Sequence, residues 1–313
     1  MPELPEVETV RRQLKPAIVG RRIESAEVLD ERWTRPEPPR EVERALQGRT
    51  IETVERRGKY LILGLDGGRA LVMHLRMSGN LLLRLPSRDG SGEVADMMKT
   101  DAGGAPRSYE SSAEPRHLRA RIQLDDGSQL WFVDARRFGH GIVLRGDGLE
   151  EYFAARLGLE PLSEALTAEE IARLAAGRRA PLKSFLLNQV GIAGIGNIYA
   201  DEALHRAELH PLSPAGSLKL DDCERLREGI VAALEAGLRA GGASIDDYRD
   251  ARGERGSMQG EFLVHAREGK PCPRCGAEIQ RIVVAGRSTY FCPSCQRRLR
   301  RRPRRRATRS RAA

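Results

Sequence analysis

The pattern of apolar and polar positions changes period partway along the chain. Residues 3 to 15 follow Pro2, hold Pro5 near the start, carry Glu3, Glu6 and Glu8 early, and end in Arg11, Arg12 and Lys15. That is the charge order of a helix aligned with its own dipole. From about 21 to 146 the pattern shortens to strands. The runs RRIESAEVL, TIETVERRGKYLILGL, RALVMHL, RARIQL and QLWFV are short, rich in branched residues and bounded by turn signals. Asp66-Gly67 and Asp126-Gly127 each lie between two such runs and predict hairpin turns. Many short antiparallel strands at this spacing predict a sandwich or barrel. Residues 86 to 115 interrupt the series. They are rich in Gly, Ser, Pro and Asp, show no period, and predict an insertion without regular structure.

Beyond Asp147-Gly148 the period is helical. Thr167-Ala-Glu-Glu170 reads as a capping box ahead of Ile171 and Leu174, and Pro181 opens a helix running to about Gln189. Leu226, Ile230, Val231, Leu234 and Leu238 recur at helical spacing until Gly241-Gly242 stops them. A β-rich module followed by a helical one makes the chain α+β.

Composition sharpens this outline. At 313 residues the chain is long enough for about two domains with a real core. No apolar run approaches the roughly 18 residues of a membrane span, and MPELPEVETVRR lacks the apolar stretch of a secretory signal, so the expectation is a cytoplasmic protein. The formal charge of +9 points to a polyanionic partner. Residues 296 to 313 hold ten of the 53 basic residues and no acid, so the remainder carries 43 bases against 44 acids, net −1. Such an Arg block predicts a disordered tail with sequence-blind affinity for phosphate, and a body that must bind nucleic acid through local clusters. Arg outnumbers Lys 47 to 6, which makes each Lys informative.

Cys272-Pro-Arg-Cys275, sixteen residues, then Cys292-Pro-Ser-Cys295 is the strongest single signal. Two C-x2-C knuckles at this spacing close a tetrahedral shell of four thiolates around one Zn2+, leaving no open position, so the metal is structural. Disulfide pairing is the alternative, disfavoured in a chain without a secretory signal. Cys223, inside an amphipathic run, reads as an inert buried thiol. Between the knuckles AEIQRIVV and STYF predict a hairpin that carries Arg287 near its tip, where a solvated surface role is the plain alternative. Gly191-Ile-Ala-Gly194-Ile-Gly196-Asn197 leads into the helix DEALHRA. It could cradle a phosphate with Asn197 donating, or simply break a helix. His205 and His210 do not align on one helix face and are expected at the surface. Removal of Met1 would leave Pro2 as a free secondary amine with Glu3 beside it. These are a nucleophile and a proton-transfer group, unless the two residues merely start a helix.

Taken together, PELPEVETVRR, RRGKYL at 56 to 61, HLRMSG at 74 to 79, DARRFG at 134 to 139, GIGNIYADEAL at 194 to 204 and GRSTYFCPSCQ resemble the bacterial formamidopyrimidine-DNA glycosylases of the Fpg/Nei family. The resemblance runs from Pro2 to about Gln296. It implies an N-terminal β-sandwich with an N-terminal helix (1–148), a helix-two-turn-helix module (149–262) and a zinc ribbon (263–297), with the tail 298–313 outside it. It also implies a monomeric glycosylase and AP lyase that binds damaged double-stranded DNA between its domains, with one structural Zn2+, no nucleotide cofactor and no membrane partner. Pro2 would be the Schiff-base nucleophile, Glu3 the proton donor in base release, Lys59 the proton donor in β-elimination, and Arg287 a phosphate clamp for δ-elimination. Lys can give up a proton where Arg cannot. Met77, Arg136 and Phe138 would fill the hole left by the everted base, and His117, Arg178 and Asn197 would hold phosphates. The opening PELPEV favours oxidised purines such as 8-oxoguanine over the pyrimidine substrates of the Nei branch, while a non-catalytic DNA-binding protein of the same fold is the alternative of another class. Two departures stand out. Leu118 and Arg119 follow His117 where smaller or more polar residues and then His are usual, and His265 replaces the commoner Tyr.

Overall fold

A computed structural model describes residues 1–86, 115–245 and 247–300. The expected insertion at 86–115, apart from its two end residues, and the Arg-rich tail beyond 300 lie outside the described residues. The chain divides into two compact units: Met1–Pro161 with Gln189–Gly196 and Ala233–Phe262, and Leu162–Asn188 with Asn197–Ala232 and Leu263–Ala313. No helix among the described residues is long and apolar enough to cross a membrane.

The first unit starts with α1 (Leu4–Ile18), followed by β1 (Ile23–Val28), α2 (Pro39–Leu46), β2 (Ile51–Arg57), β3 (Tyr60–Leu65), β4 (Arg69–His74), β5 (Gly79–Arg84), β6 (Leu118–Leu124), β7 (Gln129–Asp134), β8 (His140–Arg145) and α3 (Gly148–Ala154). The strands form two antiparallel four-stranded sheets, ordered β1-β6-β7-β5 and β2-β3-β4-β8, the sandwich expected from the alternating pattern. Period 2 sorts the side chains. On β3, Leu61, Leu63 and Leu65 enter the main core with Ile122, Leu130 and Phe132, while Tyr60 and Ile62 face a second cluster with Phe153 of α3 and Ala193. β3 is therefore covered on both faces, which explains its continuous apolar reading. Val7, Val10, Leu14 and Ile18 bring α1 into the main core.

Three local expectations change. TIETVERRGKYLILGL is two strands, because Gly58 turns the chain at φ +56 in a space where a Cβ would stand 3.1 Å from Leu157 Cδ1. Residues 39–46 form α2, with Val42, Ala45 and Leu46 buried at helical spacing behind Pro39 in the first turn. Pro16 lies inside α1, which runs on to Ile18.

The second unit contains α4 (Ala168–Ala175), α5 (Leu182–Leu187), α6 (Asn197–Arg206), most of α7 (Leu220–Arg239), and the hairpin β9 (Gln280–Val284) and β10 (Arg287–Phe291). Thr167 caps α4 as expected, its hydroxyl accepting from Glu170 N at 3.2 Å. α5 ends at Leu187, short of Gln189. Two acids of α6 hold the neighbouring segments in place. Asp201 pairs with Lys183 at 2.5 Å, both side chains being fully buried, and its second oxygen lies 2.8 Å from His265 Nδ1. Glu202 accepts from the backbone N–H groups of Leu263, Val264 and His265, which fixes the chain entering the ribbon. His265, one of the two departures, thus completes a buried polar network. Asp201→Ala strips the carboxylate from a buried ammonium. It should cost about 3–5 kcal/mol in urea unfolding, and a loss below about 1 kcal/mol would contradict a dry ion pair.

Candidate active site

Pro2 is buried and Glu3 is 1% exposed, although both stand at the end of the chain, where fraying is the rule. The glycine-rich turn is what holds them. Gly196 N–H donates to Glu3 Oε2 at 2.8 Å, and Leu4 N–H donates to Gly194 O at 3.1 Å. A Cβ on Gly196 would stand 2.2 Å from Glu3 Cδ, and one on Gly194 would stand 2.6 Å from Leu4 Cδ1. The glycines therefore serve as a seat for the N-terminus, a use that neither sequence reading of the turn contained. Glu6, absent from the sequence-based site, adds a second tether. Its Oε2 accepts from Glu3 N at 2.8 Å and its Oε1 from Ala243 N at 2.7 Å. Met1 is attached to the Pro2 nitrogen here, so the amine becomes free only on its removal.

Lys59, 7% exposed, follows the Gly58 turn. Arg56 clamps that turn by reaching Glu8 of α1 at 3.2 Å, Glu160 at 2.8 Å and Gly58 O at 2.9 Å, while Gly58 N–H donates to Glu160 at 2.5 Å. Burial raises the Glu8 carboxyl, but Arg11, Arg12 and Arg56 overcome it and hold it down at about 2. One ionic chain therefore links the helix that begins at Glu3 to the turn that presents Lys59.

His74, the first residue of HLRMSG and unclaimed by the sequence reading, lies in this region. Burial, with help from Arg76, His140 and Lys59, keeps its pKa well below the ordinary value. Its neutral Nδ1 accepts from Arg76 N at 2.9 Å, and its ring stacks on His140. Arg76 sits at φ +56 immediately before Met77, and Arg137 sits at φ +59 immediately before Phe138. Left-handed backbone in side-chain-bearing residues is strained, and here it precedes two large apolar side chains that are 40% and 53% exposed. Arg136 stands with its guanidinium carbon 5.1 Å from the Phe138 ring centre. His117 closes a short 3-10 turn that leads into β6.

In the second unit Asn197 and the residue after Arg287 meet: Asn197 Nδ2 donates to Ser288 O at 3.0 Å, and Lys183 Nζ holds Asn197 O at 2.7 Å. One N–H of the Asn197 amide is thus engaged with the ribbon. Arg287 and Arg178 are exposed. Arg178 Nε donates to Leu174 O at 2.6 Å.

The sulfurs of Cys272, Cys275, Cys292 and Cys295 all lie within 4.8 Å of one another. Four thiolates bonded to one ion at about 2.3 Å stand about 3.8 Å apart, so the set fits a tetrahedral metal. Cys223 is buried, as expected. His205 corrects an expectation. It is 1% exposed, with Nε2 at 3.4 Å from Cys272 Sγ, and burial draws its pKa down to about 4. Helical spacing alone could not reveal a partner 67 residues away. His210 is half-buried, its ring edge-on to Phe291.

A sandwich headed by a seated N-terminal helix, a helix–glycine turn–helix and a four-cysteine ribbon is the architecture of one class of DNA glycosylases. The chain belongs to the formamidopyrimidine-DNA glycosylase family. Residues 1–141 match the model of the formamidopyrimidine-DNA glycosylase N-terminal domain, 157–249 that of its H2TH domain, and 269–298 that of the zinc finger found in FPG and IleRS. The formamidopyrimidine-DNA glycosylase of Roseiflexus sp. is 45% identical over 95% of this chain and all of its own length. That of Chloroflexus aggregans is 44% identical over 95% of this chain and 98% of its own. Among solved structures, a Lactococcus lactis FPG mutant in complex with Fapy-dG-containing DNA matches with a TM-score of 0.81 at 35% identity, covering 95% of this chain and all of that one. MutM in complex with carbocyclic 8-oxo-G-containing DNA matches with a TM-score of 0.80 at 35% identity, with the same coverage.

The buried histidines set an acid limit. Burial, Arg76 and Arg156 draw His140 from 6.5 down to about 4, and His74 is lowered too. The unfolded chain takes up these protons near 6.5 while the fold resists them, so this part of the stability is whole above that pH and is lost as the pH falls toward 4. Glu8 acts in a lower window, from 4.5 down to about 2. Urea midpoints should therefore drop between about pH 7 and about pH 5, and less so in His140→Gln; a pH-independent midpoint over that range would contradict the burial of neutral imidazoles.

Proposed function

We propose that the chain is a bifunctional DNA glycosylase and AP lyase of base excision repair that removes oxidised purines, 8-oxoguanine and formamidopyrimidines, from double-stranded DNA. The observation that carries this reading is the seating of Glu3 and Pro2: a carboxyl group held by a backbone N–H beside a residue whose nitrogen becomes a secondary amine once Met1 is removed.

The chemistry follows from these residues. The Pro2 nitrogen attacks C1′ of the damaged nucleotide as the glycosidic bond breaks, and Glu3 supplies the proton that leaves on the base; the C1′–O4′ bond then opens, O4′ taking the proton that the Pro2 nitrogen gives up, and the aminal becomes an iminium between Pro2 and the sugar. Loss of a C2′ proton from that iminium expels the 3′ phosphate, with Lys59 in the proton-transfer role. Arg287 would hold a backbone phosphate through the second elimination. Met77, Arg136 and Phe138 would occupy the space vacated by the base. Apolar groups enter a stack, and the guanidinium can hydrogen-bond the orphaned base. His117, Arg178 and the start of α6 at Asn197 would meet phosphates. Because one N–H of the Asn197 amide is engaged with Ser288, phosphate contact there would use its second N–H or backbone N–H groups.

Cys272, Cys275, Cys292 and Cys295 would hold one Zn2+ whose closed shell braces the ribbon under Arg287 and supplies no chemistry. The functional partition would follow the sequence modules 1–148, 149–262 and 263–297. The protein would act as a monomer, without nucleotide cofactor, beside the chromosome in a bacterial cytoplasm.

Borohydride added to protein and a duplex holding 8-oxoguanine opposite C should trap a covalent adduct, and residues appended before Pro2 should abolish it; cleavage that persists under that blockade would overturn the Schiff-base assignment. Removal of the metal by a chelator after thiol titration should release one zinc per chain and weaken duplex binding by roughly tenfold or more. Unchanged affinity would contradict a role of the ribbon in binding.

A further inference from the structure

We infer that Ser78 and Asp134 form a latch that sets Met77 in register with Arg136 and Phe138, making both of them positioning residues for eversion of the base. The inference rests on the reading of those three side chains as the group that enters the DNA stack.

The two loops concerned leave the same end of one sheet. β5 and β7 are neighbours, with Gly79 opposite Asp134, so Ser78 and Asp134 stand where the Met77 loop ends and the Arg136 loop begins. Both are buried, Ser78 at 1% exposure and Asp134 at 0%. Ser78 Oγ donates to Asp134 Oδ1 at 2.5 Å, and Arg136 N–H points at both, 3.1 Å from Asp134 Oδ1 and 3.2 Å from Ser78 Oγ. Asp134 Oδ2 accepts from Gly139 N at 2.7 Å, closing the loop at its far end. Gly139 has to lack a side chain for this, since a Cβ would stand 2.6 Å from Phe132 Cζ and 3.1 Å from Asp134 Oδ2.

The third loop joins through the departure noted at Arg119. Its Nε donates to Asp134 O at 2.8 Å and its Nη1 to Arg116 O at 3.3 Å, tying the turn that ends in His117 to the same residue. Asp30 accepts two hydrogen bonds from Arg137, at 2.5 and 2.8 Å, and so holds the strained residue before Phe138.

A buried carboxylate with several donors resists rearrangement, because departure of either the Met77 loop or the Arg136 loop strips it of a partner in a dry site. Met77 and Phe138 gain exposure without gaining freedom. A wedge ordered in advance does not have to be ordered on the duplex, so the latch should appear in recognition of stacked DNA rather than in the bond-breaking steps.

The test compares two substrates in the full-length protein. One is a duplex holding 8-oxoguanine with 2-aminopurine as a neighbouring reporter of unstacking. The other is a single strand holding a preformed abasic site, where there is no stack to wedge. Ser78→Ala should raise KM for the duplex about tenfold at nearly unchanged kcat and slow the 2-aminopurine rise, Asp134→Asn should do more, and Ser78→Thr, which keeps the hydroxyl, should restore both. Borohydride trapping on the single strand should stay within about twofold of the parent. Wild-type duplex kinetics in Ser78→Ala would overturn the latch, as would equal losses on both substrates. Failure of the parent protein to trap on either substrate would instead overturn the functional reading on which the latch stands.

Discussion

The structure of the N-terminus depends on a backbone approach that tolerates no side chain: Gly196 N–H against the carboxylate of Glu3. Chain ends ordinarily fray, yet here the start of the first helix is held by three ties, Gly196 to Glu3, Gly194 to Leu4, and Ala243 through Glu6 to Glu3. Segments far apart in sequence therefore cooperate to place one short stretch of chain. α1 then transmits that placement, since its Glu8 anchors Arg56 and, through it, the turn that presents Lys59.

Buried acids recur as organising points, and each one meets several donors, as buried charge requires. Asp134 gathers the loops around Met77, Arg136 and Phe138. Asp201 joins Lys183 to His265, and Glu202 collects three backbone N–H groups at the entrance to the ribbon. With the chain up to residue 295 at net −1, proposed recognition of DNA rests on a few cations held in place and not on a general positive field.

The sandwich, α1, α7 and the ribbon hairpin were legible in the sequence because each has a strong local period or a spacing with one chemical reading. The four cysteines are the clearest case. α2 was missed because only Val42, Ala45 and Leu46 mark its buried face within a polar stretch, and the β2–β3 junction because Gly58 interrupts an otherwise continuous pattern. The function of the glycine turn, the burial of His205 and the partners of His74 were not legible, since each depends on a contact made across the fold and not along the chain. The departure at Arg119 is visible in sequence, but its bracing of the His117 turn is not. The residues themselves offered Pro2 as a nucleophile and Glu3 as a proton-transfer group, while the proposed roles of Lys59 and Arg287 came from resemblance. Geometry adds how Glu3 and Lys59 are held.

The most direct test of the seated N-terminus is the rate of 8-oxoguanine release by Gly196→Ala, measured beside trapping at a preformed abasic site. The added methyl must displace the Glu3 carboxyl. Base release should therefore fall by roughly a hundredfold while abasic-site trapping persists. Release at the parental rate would contradict the claim that this backbone approach positions the proton donor.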